Sequence, residues 1–344
     1  MSRVTFSRRR VFTALGLAGV LATGTAITVA VNGPESSQAA TTTSASSAEA
    51  AATTTAATAT RAISCDTKKG GKPFYDGPSA SKKYDSRFSN SAALPRLGSY
   101  IPQGIGTWWN WSGSRNLLLV AMYHPGKNSI IVGIDPATNK VVGDVAIAPT
   151  HAGGITTAYG WAFVQGSTNG IRKYKLSTLA AAMKKAGTPY VKAVGSERKV
   201  YGASFLTSYG DSLFAGKFND KGRDKMYEYK IKSNGTLVTV NRAWEIPTKT
   251  QGLLVTKGHF IFSTSYGRKN LSNLYVVKRG QPDLDKAKLS CFRAPALSEG
   301  LTEFGGRAYL VFESGSYEFR SDPNTKNVIT RLHKASISAL TGLV

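Results

Sequence analysis

The sequence predicts an all-β fold, a five-bladed β-propeller with four antiparallel strands in each blade. A short motif built on a small residue recurs five times, at intervals of 48 to 50 residues. An apolar, strand-like run follows each copy. A period of about 40 to 50 residues that contains several short strands is typical of propellers. The five copies are centred on Gly104, Gly154, Ser204, Gly252 and Gly300.

The first repeat shows the clearest strand pattern. Alternating Val and Ile residues and a turn containing Pro and Asn predict four strands, over 103–107, 117–122, 129–134 and 141–147. The segment that joins the last two strands reads Ile134-Asp-Pro-Ala-Thr-Asn-Lys-Val-Val. It resembles the recurrent hairpin of bacterial surface propellers with YVTN-type repeats. That resemblance implies the fold and no function.

The later repeats follow the same order less regularly. The second repeat also contains a short helix, predicted over 179–186 because alanine and lysine favour helix and Gly187 ends it. The strands expected in the second to fifth repeats are 161–165, 171–176, 213–218, 226–231, 260–264, 274–278, 308–312, 317–320 and 328–333.

We therefore expect residues 99–344 to supply all the strands of the propeller. Residues 61–98 are then an N-terminal arm packed against the side of the ring, and six blades result if this arm adds one.

The aligned positions before the small residues are partly polar. They hold Gln103, Gly153, Ala203, Gln251 and Glu299. Small residues fit the crowded axis of a propeller, and successive strand residues point to opposite faces. We therefore expect one of the two aligned positions to line the central channel with polar side chains from three blades.

Residues 1–39 have the features of an export signal. Ser7 to Phe12 reads Ser-Arg-Arg-Arg-Val-Phe and resembles a twin-arginine signal, and Ser37-Gln38-Ala39 offers a cleavage site. The alternative is an uncleaved membrane anchor, because residues 12–31 are uncharged. Residues 40–60 are almost entirely Ala, Thr and Ser, which predicts a disordered linker. We expect an exported monomer, located in the medium or at the cell wall.

The two cysteines, Cys65 and Cys291, predict a disulfide, as is typical of an exported chain. The bond would pin the N-terminal segment to the outer part of the fourth repeat. Two buried free thiols are the alternative. Neither cysteine belongs to a Cys-x-x-Cys motif, which disfavours a zinc or redox site.

The chain is strongly basic, with a formal net charge of +24. Such a charge attracts polyanions, including acidic polysaccharides and cell-envelope polymers. No run of Lys and Arg reaches five residues, so no dedicated nucleic-acid tail is indicated and we expect no sequence-specific nucleic-acid binding.

Glu299 and Glu313 are the carboxylate pair expected near the channel. Paired carboxylates act as general acid and base, or hold a divalent cation such as Ca²⁺. The segments Ser-Glu299-Gly-Leu-Thr and Tyr-Leu-Val-Phe-Glu313-Ser resemble the Glu-Gly strand pattern of lactonase-like and phytase-like propellers. Those enzymes hold metal with acidic residues or Asn from several blades, whereas the matching positions here are Gln, Gly, Ala and Gln. A purely structural role for Glu299 is the alternative, with no cofactor at all.

Aromatic and basic residues predict a recognition surface at one end of the ring. Tyr123 follows the predicted second strand of blade one. Tyr266 and Arg268 follow the predicted second strand of blade four. Loops at this position lie at the same end of a propeller, and we expect Tyr209 to join them. His151, at the entry of the second repeat, is a candidate ligand or general base. Solvated loops are the alternative.

The nearby Trp108-Trp109-Asn-Trp111 run either stacks on sugar rings or packs between blades. No nucleophile elbow, phosphate loop, dinucleotide fingerprint or His-Glu-x-x-His motif is present. We therefore predict first a binding protein for a polyanionic or glycan ligand, which is recognised by this rim above Gln103 and Gln251. The alternatives are a metal-dependent hydrolase that uses Glu299 and Glu313, and a polysaccharide lyase with His151 or a tyrosine as base.

Overall fold

The computed structural model describes residues 60–344 as a ring of five antiparallel sheets, each of four strands. The predicted fold class is therefore confirmed. The predicted export signal and nearly all of the predicted linker lie outside the described residues. No helix in the described part of the chain is long and apolar enough to cross a membrane.

The first four blades use strands in chain order, from the axis outward. The described chain also contains three short helices: α1 (Lys82–Asp85), α2 (Leu176–Met183) and α3 (Ile337–Thr341). Strand β1 (Phe88–Ala93) precedes the first blade in the chain. Blade one contains β2 (Ile101–Ser112), β3 (Arg115–Tyr123), β4 (Ser129–Asp135) and β5 (Lys140–Ile147); blade two contains β6 (Ile155–Ala158), β7 (Trp161–Gln165), β8 (Gly170–Lys175) and β9 (Arg198–Lys199). Blade three contains β10 (Phe205–Tyr209), β11 (Ser212–Gly216), β12 (Asp224–Ile231) and β13 (Leu237–Ile246); blade four contains β14 (Thr250–Val255), β15 (His259–Thr264), β16 (Ser272–Lys278) and β17 (Leu289–Ala294).

The fifth blade is built from both ends of the folded chain. From the axis outward it contains β18 (Ser298–Phe304), β19 (Arg307–Phe312), β20 (Arg331–Ser336) and then β1. The pairing of β1 with β20 is antiparallel and aligns Phe88 with Ala335. The prediction that residues 61–98 lie outside the propeller is therefore wrong for β1. The strand predicted over 317–320 is wrong, because residues 313–330 form a long loop. The strand predicted over 328–333 corresponds to β20, which begins at Arg331 and is the third strand of the blade rather than the fourth.

Five apolar clusters fill the five interfaces between neighbouring blades. One joins Leu119 and Ala121 of blade one to Val164 of blade two. Another joins Val120 of blade one to Leu332 of blade five, across the point where the ring closes. Residues 117–122 are fully buried because successive side chains of this strand enter the clusters on its two sides. Burial of apolar surface between blades therefore extends around the whole ring.

The recurring small residues have a steric cause. A Cβ atom added to Gly104 would lie 3.0 Å from the Cα atom of Gly154, and one added to Gly252 would lie 2.9 Å from that of Gly300. A Cβ atom on Gly300 would in turn lie 3.1 Å from the Cα atom of Gly104. The innermost strands of neighbouring blades thus approach too closely for a larger side chain, which sets the period seen in the sequence.

The N-terminal segment is attached to blade four before it reaches β1. Cys65 and Cys291 form a disulfide, which confirms the predicted pairing, and Cys291 lies on the outermost strand β17. The Asp66 amide donates to the Cys291 carbonyl at 2.9 Å, and the Arg293 amide donates to the Asp66 carbonyl at 3.0 Å. Residues around Asp66 therefore extend the sheet of blade four.

Candidate binding site at the upper end of the channel

The upper end of the ring is the end at which the first strand of each blade begins and the second strand ends. Gln103, Gln251 and Glu299 lie near the beginnings of β2, β14 and β18, and Glu313 follows β19 directly. In β2, β14 and β18, the register of pairing with the second strand of the blade shifts at the Gln or Glu residue. Such a bulge redirects a side chain, and here it occurs in the three blades that carry a polar residue.

Glu299 and Glu313 form a carboxyl pair on the floor of this end. Glu299 is 1% exposed, and neither of its carboxyl oxygens has a hydrogen-bond partner. Burial raises the pKa of Glu299 well above its usual value, and the nearby charge of Glu313 adds to this effect. The raised pKa favours the protonated form of Glu299, whose carboxyl oxygens have no partner within the described residues.

Glu313 is half-buried and connects this pair to the solvent. Its carboxylate accepts a hydrogen bond of 2.6 Å from the Gln103 side-chain amide. Burial raises the pKa of Glu313 to about 7, although Gln103 and the charge of Arg268 act in the opposite direction. A group with this pKa exchanges protons readily at neutral pH, so the pair can hold a ligand hydroxyl or transfer a proton.

Tyr123 and His151 form one aromatic side of the site. Their ring centroids lie 4.4 Å apart. Burial, together with the charges of Glu313 and Glu299, raises the pKa of Tyr123 to about 12. Partial desolvation lowers the pKa of His151, although its side chain remains exposed to solvent. Both rings are therefore uncharged at neutral pH and offer flat faces and single polar groups.

Tyr266 forms a second aromatic surface and is 51% exposed. The Lys249 ammonium group lies 5.1 Å from the centre of its ring, and the ring of Phe218 lies 6.1 Å away. Lys249 and Phe218 were not predicted from the sequence. Lys249 belongs to the loop that enters β14, and the equivalent loop of blade two supplies His151. Alignment of the repeats at this position could therefore have predicted Lys249.

Arg268 is less free than the sequence predicts. Its guanidinium donates to Asp322 at 2.5 Å and lies 4.7 Å from the centre of the Phe319 ring. Positive charge at this end comes instead from exposed lysines of the loops after the second strands: Lys127, Lys217 and Lys269.

Tyr209 does not join the upper rim, which corrects the prediction. It is the last residue of β10 and pairs with Ser212 across the turn between the first two strands. This turn lies at the opposite, lower end of the ring. The tryptophan run is divided: Trp108 is buried between blades, whereas Trp109 is exposed near the lower end.

The upper site lacks the donor set of a typical metal site. Within residues 60–344, no group of three or more His, Cys, Asp or Glu side chains is placed to hold a metal ion. Gly153 and Ala203, at the aligned positions of blades two and three, have no donor side chain. At the aligned positions, the polar side chains therefore come from blades four, five and one.

Comparison with known proteins gives no family. No protein-family model matches the chain, and no curated protein matches it. Among solved structures, the chain is similar to a glutaminyl cyclase from Myxococcus xanthus, with 9% identity and a TM-score of 0.45 over 73% of this chain and 95% of that one. It is also similar to U3-55K, with 6% identity and a TM-score of 0.38 over 73% and 99% of the two chains. A quinonprotein alcohol dehydrogenase-like protein from Bacteroides thetaiotaomicron has 13% identity and a TM-score of 0.34 over 64% and 50%. Similarities this weak carry no argument about activity or ligand.

Proposed function

We propose that this chain is an exported β-propeller that binds an anionic polysaccharide at the upper end of its ring. The observation that carries the proposal is the pair of carboxyl groups beneath two accessible aromatic surfaces. Glu313 is the partly exposed member of this pair, and Tyr123 and Tyr266 offer ring faces. Carboxyl and amide groups bind sugar hydroxyls, and aromatic faces pack on the apolar faces of sugar rings.

The charge of the protein supports the acidic character of this ligand. The whole chain carries 44 Lys and Arg against 20 Asp and Glu. At the upper end, the exposed lysines lie in the outer loops, whereas the carboxyl groups lie on the floor, where burial favours their uncharged form. Anionic groups of a polymer would contact the lysines while its hydroxyls reach Glu313, which the buried Gln103 holds in place. The formed disulfide is consistent with export.

A lyase acting on such a polysaccharide is the second candidate. The specific observation in its favour is the pKa of about 7 at Glu313, close to the pH at which a general base or acid works best. The described residues at this end do not form a metal-ligand set, which disfavours the metal-dependent hydrolase.

We expect Tyr266→Ala to weaken binding of polygalacturonate about tenfold, because it removes a stacking face that lies under Lys249. Calorimetry at two salt concentrations is the measurement, and binding to wild type should weaken as salt rises. Tyr190→Ala is the control, since Tyr190 is equally exposed but lies beside the outer strand of blade one. Equal binding by both variants would place the polymer elsewhere.

The same samples separate binding from catalysis. A lyase would release unsaturated sugars, which are detected by their ultraviolet absorbance, and Glu313→Gln should abolish this release while binding persists. Binding without any release of product would assign the carboxyl pair to recognition alone.

A further inference from the structure

A cavity lies at the lower end of the ring, away from the site above. Its volume is about 850 Å³, within the range of roughly 300–1,000 Å³ that is typical of small-ligand sites. The ends of the five first strands all contribute to its wall. Because the glycine contacts hold the innermost strands together above it, this cavity is a separate candidate site.

Hydroxyl groups form the floor of this lower cavity. The Thr107 and Thr302 hydroxyls lie 3.0 Å apart, and those of Thr156 and Ser208 lie 2.7 Å apart. The Thr157 hydroxyl donates to the Thr107 carbonyl at 2.7 Å. These bonds join side chains of neighbouring blades and fix the positions of the hydroxyls. Each hydroxyl has one donor and two acceptor positions, so the paired groups keep acceptor capacity for a ligand.

Three exposed aromatic side chains surround the same cavity. Trp109 is 47% exposed, Tyr159 is 54% exposed and Tyr209 is 40% exposed. They are three of the eight large apolar side chains that are exposed in the described part of the chain. The Tyr209 ring is supported from the core side by Arg279, whose guanidinium lies 5.5 Å from its centre and also packs on the buried Phe260. Large apolar rings that gather at a polar cavity are typical of a recognition surface.

The charges in the lining of this cavity balance. Lys257 and Glu303 are the two charged residues that line the cavity, and their signs are opposite. A ligand there meets hydroxyls and ring faces in place of a net charge. The cavity thus suits a molecule with many hydroxyls and flat apolar faces, which is the chemistry of an uncharged sugar.

We propose that the lower cavity is a second binding site, for an uncharged oligosaccharide. The sugar hydroxyls would bind the ring of Thr and Ser side chains, and sugar faces would pack on Trp109, Tyr159 and Tyr209. The inference is independent of the proposed function, because it shares no residue with the upper site.

The test is calorimetric titration of the full mature chain with cellohexaose, xylohexaose and chitohexaose. We expect at least one of these to bind, and Trp109→Ala and Tyr159→Asn each to weaken that binding about tenfold. Asparagine suits position 159 because this residue has a φ of 50°, in the left-handed region that asparagine tolerates. Tyr190→Asn is the matched control, because Tyr190 is also 54% exposed and lies outside the cavity.

Two results would overturn the proposal. One is the absence of binding to all three oligosaccharides by wild type at millimolar concentration. The other is binding that Tyr159→Asn leaves unchanged in a sample whose thermal unfolding matches that of wild type. Tyr266→Ala tests the two sites separately, since it should weaken binding of polygalacturonate and leave binding of the uncharged oligosaccharide unaffected.

Discussion

Replacing both Cys65 and Cys291 with serine is expected to lower the free energy of unfolding by about 4–5 kcal/mol. The disulfide joins residues separated by 226 positions, so it restricts the unfolded chain strongly. It also holds the segment that leads to β1, and β1 closes the fifth blade by pairing with β20. Denaturant unfolding at equilibrium, with oxidised wild type as reference, gives the difference directly.

A control separates the disulfide from the contacts that precede it. The Arg61 guanidinium donates to the Leu284 carbonyl at 2.7 Å, upstream of Cys65. Arg61→Ala should cost only about 1 kcal/mol, because it removes local hydrogen bonds and leaves the cross-link intact. A double-serine variant that is no less stable than Arg61→Ala would show that backbone pairing alone holds the N-terminal segment in place.

The blades could be predicted because their signals are local. Each hairpin shows alternating apolar residues and a turn, and the glycines mark where innermost strands meet. The closure of the ring could not be predicted in this way, because the pairing of Phe88 with Ala335 joins distant parts of the chain. The segment 88–93 reads Phe-Ser-Asn-Ser-Ala-Ala and carries little strand signal of its own. Its position depends on the open edge that β20 presents.

Only the part of the candidate site that follows the repeats could be predicted from the sequence. The alignment of repeats predicted that Gln103, Gln251 and Glu299 occupy equivalent positions, and the structure places all three at the upper end. The ion pair between Arg268 and Asp322 depends on how the long loop after β19 folds back, which no periodic pattern encodes. Tyr209 lies at the lower end because it is the last residue of the first strand of blade three, whereas the loops of the upper rim follow second strands.

The free energy of unfolding should depend on pH through the carboxyl group of Glu313. The pKa of Glu313 is about 7 in the folded protein, against an ordinary value of 4.5. A raised pKa means that the folded state binds the proton more tightly than the unfolded state does. The stability that this proton supplies is complete below pH 4.5 and is lost as the pH rises through about 7. For this shift the loss amounts to about 3 kcal/mol.

We therefore expect Glu313→Gln to be more stable than wild type at pH 8, by about 2–3 kcal/mol beyond any difference found at pH 4. The glutamine keeps the shape of the side chain, and its carbonyl still accepts the hydrogen bond from Gln103. Urea unfolding of both proteins at the two pH values is the measurement. Comparison at each pH cancels the contributions of other groups, including the buried His333, whose pKa burial lowers to about 3.

Glu318→Gln provides the matched control, because Glu318 lies in the same loop with its side chain 48% exposed. Removing this exposed carboxylate should change the pH dependence of stability much less than Glu313→Gln does, because the charge of Glu318 makes only a small contribution to the raised pKa of Glu313. A Glu313→Gln variant whose stability changes with pH as that of wild type does would mean that Glu313 is ionised in the folded protein at pH 5. Arg268 would then be its counter-ion, and the lyase candidate would lose the pKa near 7 that favours it.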